Sequence, residues 1–277
     1  MSLTNKALFA IERNLNRELS LGEIAERLGV SRFHLAHAFG ESTGLSVMEY
    51  VRGRRLTESA YALAGGARDI LSVALDGGYG SHEAFSRAFK AQFGKTPEEV
   101  RRAESVVGLA LVDAIRMVDR APAPLKPPRF EEVGELRFVG LSERTAYGET
   151  QNIPGQWQRF MSRPYGEIEN KTADIPVGIS TGGEDGELHY VCAAQVSRFG
   201  HVPKGLVKLT LAPAAYAVFA HDGHITRLHQ TYVTIWNDWF PSSGKAPAHA
   251  PSFERHNPTF DTRTGEGGVT IWTPLAA

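Results

Sequence analysis

The residues of this 277-residue chain that are typed for bond-making chemistry lack the partners it needs. Cys192 is the only cysteine, so there is no disulfide framework and no thiolate metal cluster, and its ordinary role is that of a small buried apolar residue. His34 and His82 have no cysteine or second ligand at a metal-binding spacing, which argues against zinc. The chain contains no nucleophile elbow, no glycine-rich phosphate loop and no Ser-His-Asp set. No catalytic residue, metal or cofactor is therefore expected, and the chemistry left to the polar side chains is recognition. Arg52, Arg54 and Arg55 form a local cluster that could hold phosphates. The net charge is −1, and residues 1–105 carry 14 Lys and Arg against 13 Asp and Glu, so there is no broad basic footprint.

Two differently built regions must position these groups. Residues 1–105 are rich in helix formers, have apolar residues three and four apart, and contain one proline, Pro97. The proline-rich run from Ala121 to Pro128 cannot continue a helix and reads as a semi-rigid linker. Beyond it come short β-like runs, aromatics and turn residues. The apolar segment Val106–Val118 is read as a helix packed on one or both domains. Expected boundaries are thus 1–105, a linker at 106–126, and 127–277.

The N-terminal region repeats itself. Ala25, Gly29, Ser31, Leu35, Phe39 and Gly44 return as Ala74, Gly78, Ser81, Phe85, Phe89 and Gly94, offset by 49 residues before a turn and 50 after it. Each copy reads as helix, turn, helix. Leu21, Ile24, Ala25 and Leu28 make one apolar stripe, and Ile70, Val73 and Ala74, with Asp69 as cap, make the other. Alanine at 25 and 74 permits a close helix crossing, and glycine at 29 and 78 suits a turn with positive φ. Ser31 and Ser81 cap the second helices, whose early residues are free to enter a major groove. A helix from Ser46 to about Leu63 spaces the units. At 1.5 Å per residue it is roughly 27 Å long, enough with side-chain offsets to set the reading helices about one DNA turn apart.

With Leu21-Gly22-Glu23-Ile24-Ala25, Ser31-Arg32-Phe33-His34-Leu35, Arg52-Gly53-Arg54-Arg55-Leu56, Ala84–Lys90 and Phe93-Gly94-Lys95-Thr96-Pro97 in place, residues 5–104 resemble the AraC/XylS family of regulators. The resemblance implies a seven-helix DNA-binding domain with one reading helix per unit. By position it implies base contacts from Arg32, Phe33, Ala36 and His37, then His82, Glu83 and Arg87. Their chemistry suits that role: arginine forks onto guanine, glutamate accepts from cytosine, and Phe33 can touch a thymine methyl. The family often has arginine at His37 and a polar residue at Ala36. The first unit is therefore expected to read fewer bases, or to lean on phosphate contacts and DNA shape. His34 is read as an ordinary helix residue.

The C-terminal half shows a fainter duplication. Strand Leu136–Ser142, a helix through Trp157 and Phe160, and strands near Pro176–Ser180 and Leu188–Ser197 form the first copy. Strand Tyr216–His221, a helix from Leu228 to Trp239, and strands near Phe253–His256 and Gly268–Trp272 form the second. Gly182–Gly186 and Thr264–Gly268 are their hairpin turns. The expected architecture is multidomain: all-α at the N-terminus, then an α+β domain of duplicated antiparallel modules. Leu211–Val218, Trp236–Phe240, Ser243-Gly244 and Pro251–His256 resemble the GyrI-like, multidrug-sensing domain that some AraC-type regulators carry. That resemblance implies a groove for bulky aromatic or cationic compounds, with Glu254 as charge partner. Trp157, Tyr190, Tyr232, Trp236 and Trp272 are the expected aromatic walls. The family often has tyrosine at His256, and histidine there is expected to alter polarity or to introduce pH sensitivity.

The functional expectation is a sequence-specific DNA-binding transcription regulator, an activator, that answers a small effector at its C-terminal domain. Its expected partners are double-stranded promoter DNA, the effector and RNA polymerase. Two alternatives stand beside it: a C-terminal hydrolase using Glu254 as general base, and a C-terminal protein-interaction module. The N-terminus lacks the pattern of a signal peptide, and no run of about 18 apolar residues exists, so a cytoplasmic protein without membrane association is expected.

Overall fold

The computed structural model describes residues 1–67, 69–116, 121–145, 147, 152–162, 164–173, 175–182 and 188–276. Seven helices among them build the N-terminal region: α1 (Leu3–Glu12), α2 (Leu21–Leu28), α3 (Arg32–Thr43), α4 (Val47–Ala64), α5 (Ile70–Asp76), α6 (His82–Phe93) and α7 (Pro97–Ala103). Their ends follow local chemistry. Ser20, Ser46 and Thr96 close capping boxes with Glu23, Glu49 and Glu99, and Asp69 accepts from the Leu71 and Ser72 amides. Each box satisfies two amide donors that the first turn of a helix leaves unpaired. Gly29 and Gly78 hold φ of 68° and 80° at the two turns, where a side chain would be strained. The expected spacer is α4.

The first unit buries Ile24, Ala25, Leu35 and Phe39 in one core. The second buries Val73, Ala74, Phe85, Phe89 and Phe93 in another. Alanine at 25 and 74 is buried, as the crossing requires.

The linker corrects one expectation, because residues 105–116 form no helix. Instead the chain lies extended along α4. The Val112 amide donates to Thr57 Oγ1 (2.9 Å) and the Ile115 amide to the Tyr50 hydroxyl (3.1 Å). Val112 packs so close to Gly53 that a Cβ there would sit 2.7 Å from it. Apolar residues were legible in this segment, but side-chain groups on α4 satisfy its backbone in place of intrahelical bonds. Val118 lies outside the described residues.

The C-terminal region is one eight-stranded antiparallel sheet: β1 (Arg129–Val133), β2 (Leu136–Thr145), β3 (Val177–Gly182), β4 (Leu188–Val196), β5 (Val207–Leu211), β6 (Ala214–His221), β7 (Ser252–His256) and β8 (Val269–Leu275). The order is β1-β6-β8-β7-β3-β4-β2-β5. The two expected modules meet at β3 and β7, where Gly178 faces Glu254. β1 and β5 each leave their own module and complete the edge of the other. The helices are α8 (Ile153–Ser162) and α9 (Pro164–Glu167) in the first module, and α10 (Leu228–Thr234) and α11 (Phe240–Ser243) in the second. A π-turn at Ile235–Trp239 joins the last two. Of the expected hairpin Gly182–Gly186, residues 183–186 lie outside the described residues.

Helix α3 docks on the second module. Phe33 and Ala38 share a hydrophobic cluster with Trp236, Phe240, Phe219 and Ile271. Asn237 accepts from the Thr4 amide (2.9 Å) and donates to the Ala38 carbonyl (3.1 Å) and to Ser42 Oγ (3.0 Å). His34 Nε2 donates to the Trp236 carbonyl at 2.8 Å, since a carbonyl can only accept.

Candidate functional site

Glu254 on β7 is buried at 8% exposure beneath the seam between the modules. The Tyr190 hydroxyl donates to its Oε2 (3.1 Å) and the Tyr232 hydroxyl to its Oε1 (2.8 Å). Strand pairing puts Gly178 opposite it, and a Cβ at 178 would lie 2.0 Å from the Tyr190 hydroxyl. Among the described residues no lysine or arginine pairs with Glu254. Its neighbour Arg255 turns to the opposite face of the sheet, over the Trp272 ring (4.8 Å), and donates to Gln195 (3.0 Å). Burial pushes the Glu254 carboxyl up to about 7, partly offset by the two tyrosine hydrogen bonds. Tyr190 and Tyr232 are pushed well above the usual phenol range, first by burial and then by the Glu254 charge, which keeps both as donors.

This carboxyl lines a cavity of about 980 Å³ whose walls include Trp157, Tyr190, Tyr232 and His256. Four of the six expected ligand residues therefore come together: Glu254, Trp157, Tyr190 and Tyr232. Trp236 and Trp272 do not line it. Trp236 is 1% exposed between α3 and the second module, with His37 at 4.6 Å between ring centroids. Trp272 stacks on Phe253 (5.1 Å, 17°) across the sheet, because strand alternation sends both to the face away from Glu254. Sequence reasoning missed Glu41, Tyr147 and His229, which also line the cavity. Glu41 belongs to α3, and only the docking of the two regions brings it there.

The DNA-reading candidates divide sharply. In α6, Glu83 and Arg87 are exposed, and His82, half-buried, pairs with Glu98 (3.3 Å). Of the α3 candidates only Arg32 is exposed; Phe33, Ala36 and His37 are 6%, 3% and 6% exposed, and Phe33 and His37 pack toward the C-terminal region. Phe33 and His37 lie against Trp236, and Phe33 also against His249 (5.1 Å). In this conformation those three present nothing to a groove, contrary to the expectation that they meet base edges. The arginine cluster is likewise committed. Arg54 forks onto Glu12 (3.0 and 3.1 Å), and Arg55 donates to the Leu15 carbonyl (2.8 Å) and that of Arg17. Of that cluster only Arg52 is exposed.

Comparison with known proteins assigns the family. Residues 126–276, more than half of the chain, match the model of the GyrI-like small molecule binding domain. The chain belongs to this family. Residues 24–103 match a helix-turn-helix domain model, so an AraC-type DNA-binding region precedes the GyrI-like domain. The transcriptional regulator Rob of Salmonella typhimurium is 25% identical over 95% of this chain and 93% of its own length. The multiple antibiotic resistance protein MarA of Salmonella typhimurium is 38% identical over 33% of this chain and 72% of its own length. The solved structure of SAV2435 bound to tetraphenylphosphonium covers 55% of this chain and 95% of its own, at 23% identity and a TM-score of 0.47. This GyrI-like protein is a DNA-binding transcription regulator with a small-molecule-binding domain. Among the described residues no helix is long and apolar enough to cross a membrane.

Proposed function

We propose that the cavity takes hydrophobic organic cations, with Glu254 as charge partner and Trp157, Tyr190 and Tyr232 as aromatic walls. The carrying observation is a buried carboxyl held by two phenols, without a lysine or arginine partner among the described residues, in a cavity roomy enough for a drug-sized molecule. A cation arriving there supplies the missing counter-charge and gains cation–π contact in a desolvated setting, where such contacts are strongest. Both Glu254 oxygens are occupied by tyrosine donors, which supports binding over proton abstraction and so a sensor without catalysis. On the DNA side, His82, Glu83 and Arg87 read bases. Arg32, Phe33, Ala36 and His37 do so when α3 is undocked, and the chain activates transcription through RNA polymerase, in the cytoplasm, when both helices are engaged.

Tetraphenylphosphonium, with a fixed charge and no hydrogen-bond donor, and its neutral relative triphenylphosphine oxide test the cavity. In differential scanning fluorimetry and calorimetric titration at pH 8, the cation raises the melting temperature of the wild type, and Glu254→Gln binds it at least about tenfold more weakly. The oxide treats both proteins alike. An equal response to the cation in both proteins, or none in the wild type, sinks this assignment. Protonation removes the charge the cation needs, so with the carboxyl near 7 the affinity falls from pH 8 to pH 6 in the wild type and stays flat in Glu254→Gln.

A further inference from the structure

The cavity is not built by the GyrI-like domain alone. Glu41, four residues beyond His37 on α3, lines it together with Glu254. The Glu41 carboxylate is 18% exposed and accepts from His229 Nδ1 at 3.2 Å, which holds that histidine above its usual range. Its charge also helps to raise Glu254, so the two carboxyls repel each other across the cavity. Gly40, just before it, lies directly under Tyr147, another wall residue; a Cβ at 40 would sit 2.4 Å from that ring. One wall of the ligand cavity is therefore the docked reading helix of the first helix-turn-helix.

We propose that Glu41 is a second ligand-facing carboxylate, so that a cation seated between it and Glu254 clamps α3 onto the GyrI-like domain and keeps the first unit off DNA. This rests on the cation-binding reading of the cavity above. A cation between two carboxyls cancels their repulsion and takes the place of His229 as counter-charge. It gains the Glu41 contact only while α3 is docked, because the cavity exists at full size in that state. A ligand favours the state it binds better, so occupancy shifts the population toward docked α3. DNA that takes up Phe33, Ala36 and His37 favours the undocked state. Ligand and DNA therefore weaken each other by the same factor through the first unit, whereas α6, which carries no cavity wall, is untouched by the clamp.

Titration of the full-length wild type, Glu41→Gln, His229→Gln and Glu254→Gln with tetraphenylphosphonium, together with amide hydrogen exchange of α3, tests the clamp. Glu41→Gln is expected to bind the cation about threefold to tenfold more weakly. His229→Gln leaves Glu41 free to meet the cation and is expected to bind at least as tightly as the wild type. If Glu41 served only to dock α3 through His229, both variants would weaken binding alike, and that outcome overturns the proposal. In the wild type the cation slows exchange across α3 and weakens binding to a duplex enriched from a random-sequence library by this protein; in Glu41→Gln both effects shrink. Faster or unchanged α3 exchange overturns it too. If the wild type binds the cation but Glu41→Gln matches it, the clamp fails while the Glu254 cavity stands. If the wild type binds no cation, the cavity assignment fails first and the clamp falls with it.

Discussion

The two reading helices of this chain are copies of one unit put to opposite uses. Helices α3 and α6 share their length, their serine caps and their closing glycines, and Leu35 and Phe39 match Phe85 and Phe89 on the buried face. They part on the other face. Phe33, His37 and Gly40 stand where α6 has Glu83, Arg87 and Lys90. The charged set leaves α6 buried on one side only, whereas α3 is buried from Phe33 through Gly40 on every side. A helix-turn-helix core thus specifies where a reading helix sits but not what meets its outer face. Three positions decide between solvent, with DNA within reach, and a partner domain.

The sharpest way to break this contrast is to truncate matched positions. Phe33→Ala removes a ring packed on Trp236 and His249 and is expected to cost about 3 kcal/mol of the stability that couples the two regions. Chemical denaturation should then show the helical and sheet regions melting apart. Glu83→Ala, at the equivalent position, should leave the melting transition within about 1 °C. Equal losses would mean that α3 is not a docked interface.

Acid is the next lever, because docking buries two imidazoles. Burial lowers the His34 value and pushes His37 down to about 4, helped by the nearby His34 and His249. The docked state therefore binds fewer protons than the undocked one between pH 6.5 and 4. The share of docking that these two imidazoles carry is fully present above pH 6.5 and is lost as pH falls toward 4. The His229–Glu41 pair, whose histidine is raised, contributes in the opposite sense and weakens as pH rises. Lowering pH from 7 to 5 should weaken α3 docking by up to about 2 kcal/mol, read as faster α3 amide exchange. His37→Phe should remove most of that dependence. Glu254 acts in the opposite direction: raised toward 7, it favours the fold below its ordinary carboxylate value and loses that contribution as pH rises through 7. Exchange resolved by helix, rather than a global melting temperature, separates the two effects.

Much of this was legible in the sequence, and the rest was not for identifiable reasons. Caps, turns and helix stripes are local, so Ser31, Ser81, Asp69, Gly29 and Gly78 announced both units. The resemblance to the GyrI-like domain pointed to a groove at Glu254, and Glu254, Tyr190 and Tyr232 do line a cavity. Trp236 and Trp272 were misplaced because an aromatic's type does not say which side of its helix or sheet the ligand occupies. The exchange of β1 and β5 between modules is a long-range pairing with no local signature. Glu41 could not be found without the docking, yet a signal existed: a reading helix bearing Phe33, Ala36, His37, Ala38 and Gly40 is too apolar and too small on its outer face to be left in water. The departures from the family pattern at Ala36 and His37 pointed to a first unit that reads fewer bases, or leans on phosphate contacts and DNA shape; in the structure both residues are buried.

The smallest expected effect is on DNA and bears on which helix reads it in the docked state. Arg87 is exposed, and one guanidinium forked onto guanine contributes roughly 1–3 kcal/mol of discrimination. Arg87→Ala should therefore weaken binding to a duplex enriched by the wild-type protein about tenfold and relax preference at one base pair. His37→Ala should change affinity by no more than about twofold while α3 remains docked, since a buried imidazole touches no base. Saturating tetraphenylphosphonium should bring that gap to its full size, because it holds α3 in place against DNA. Undocking through Gly40→Gln, whose side chain collides with Tyr147, should close the gap by bringing the first unit onto DNA. If His37→Ala matched Arg87→Ala with the cation saturating, α3 would leave its site whenever DNA binds, and the cation would not hold the first unit off DNA.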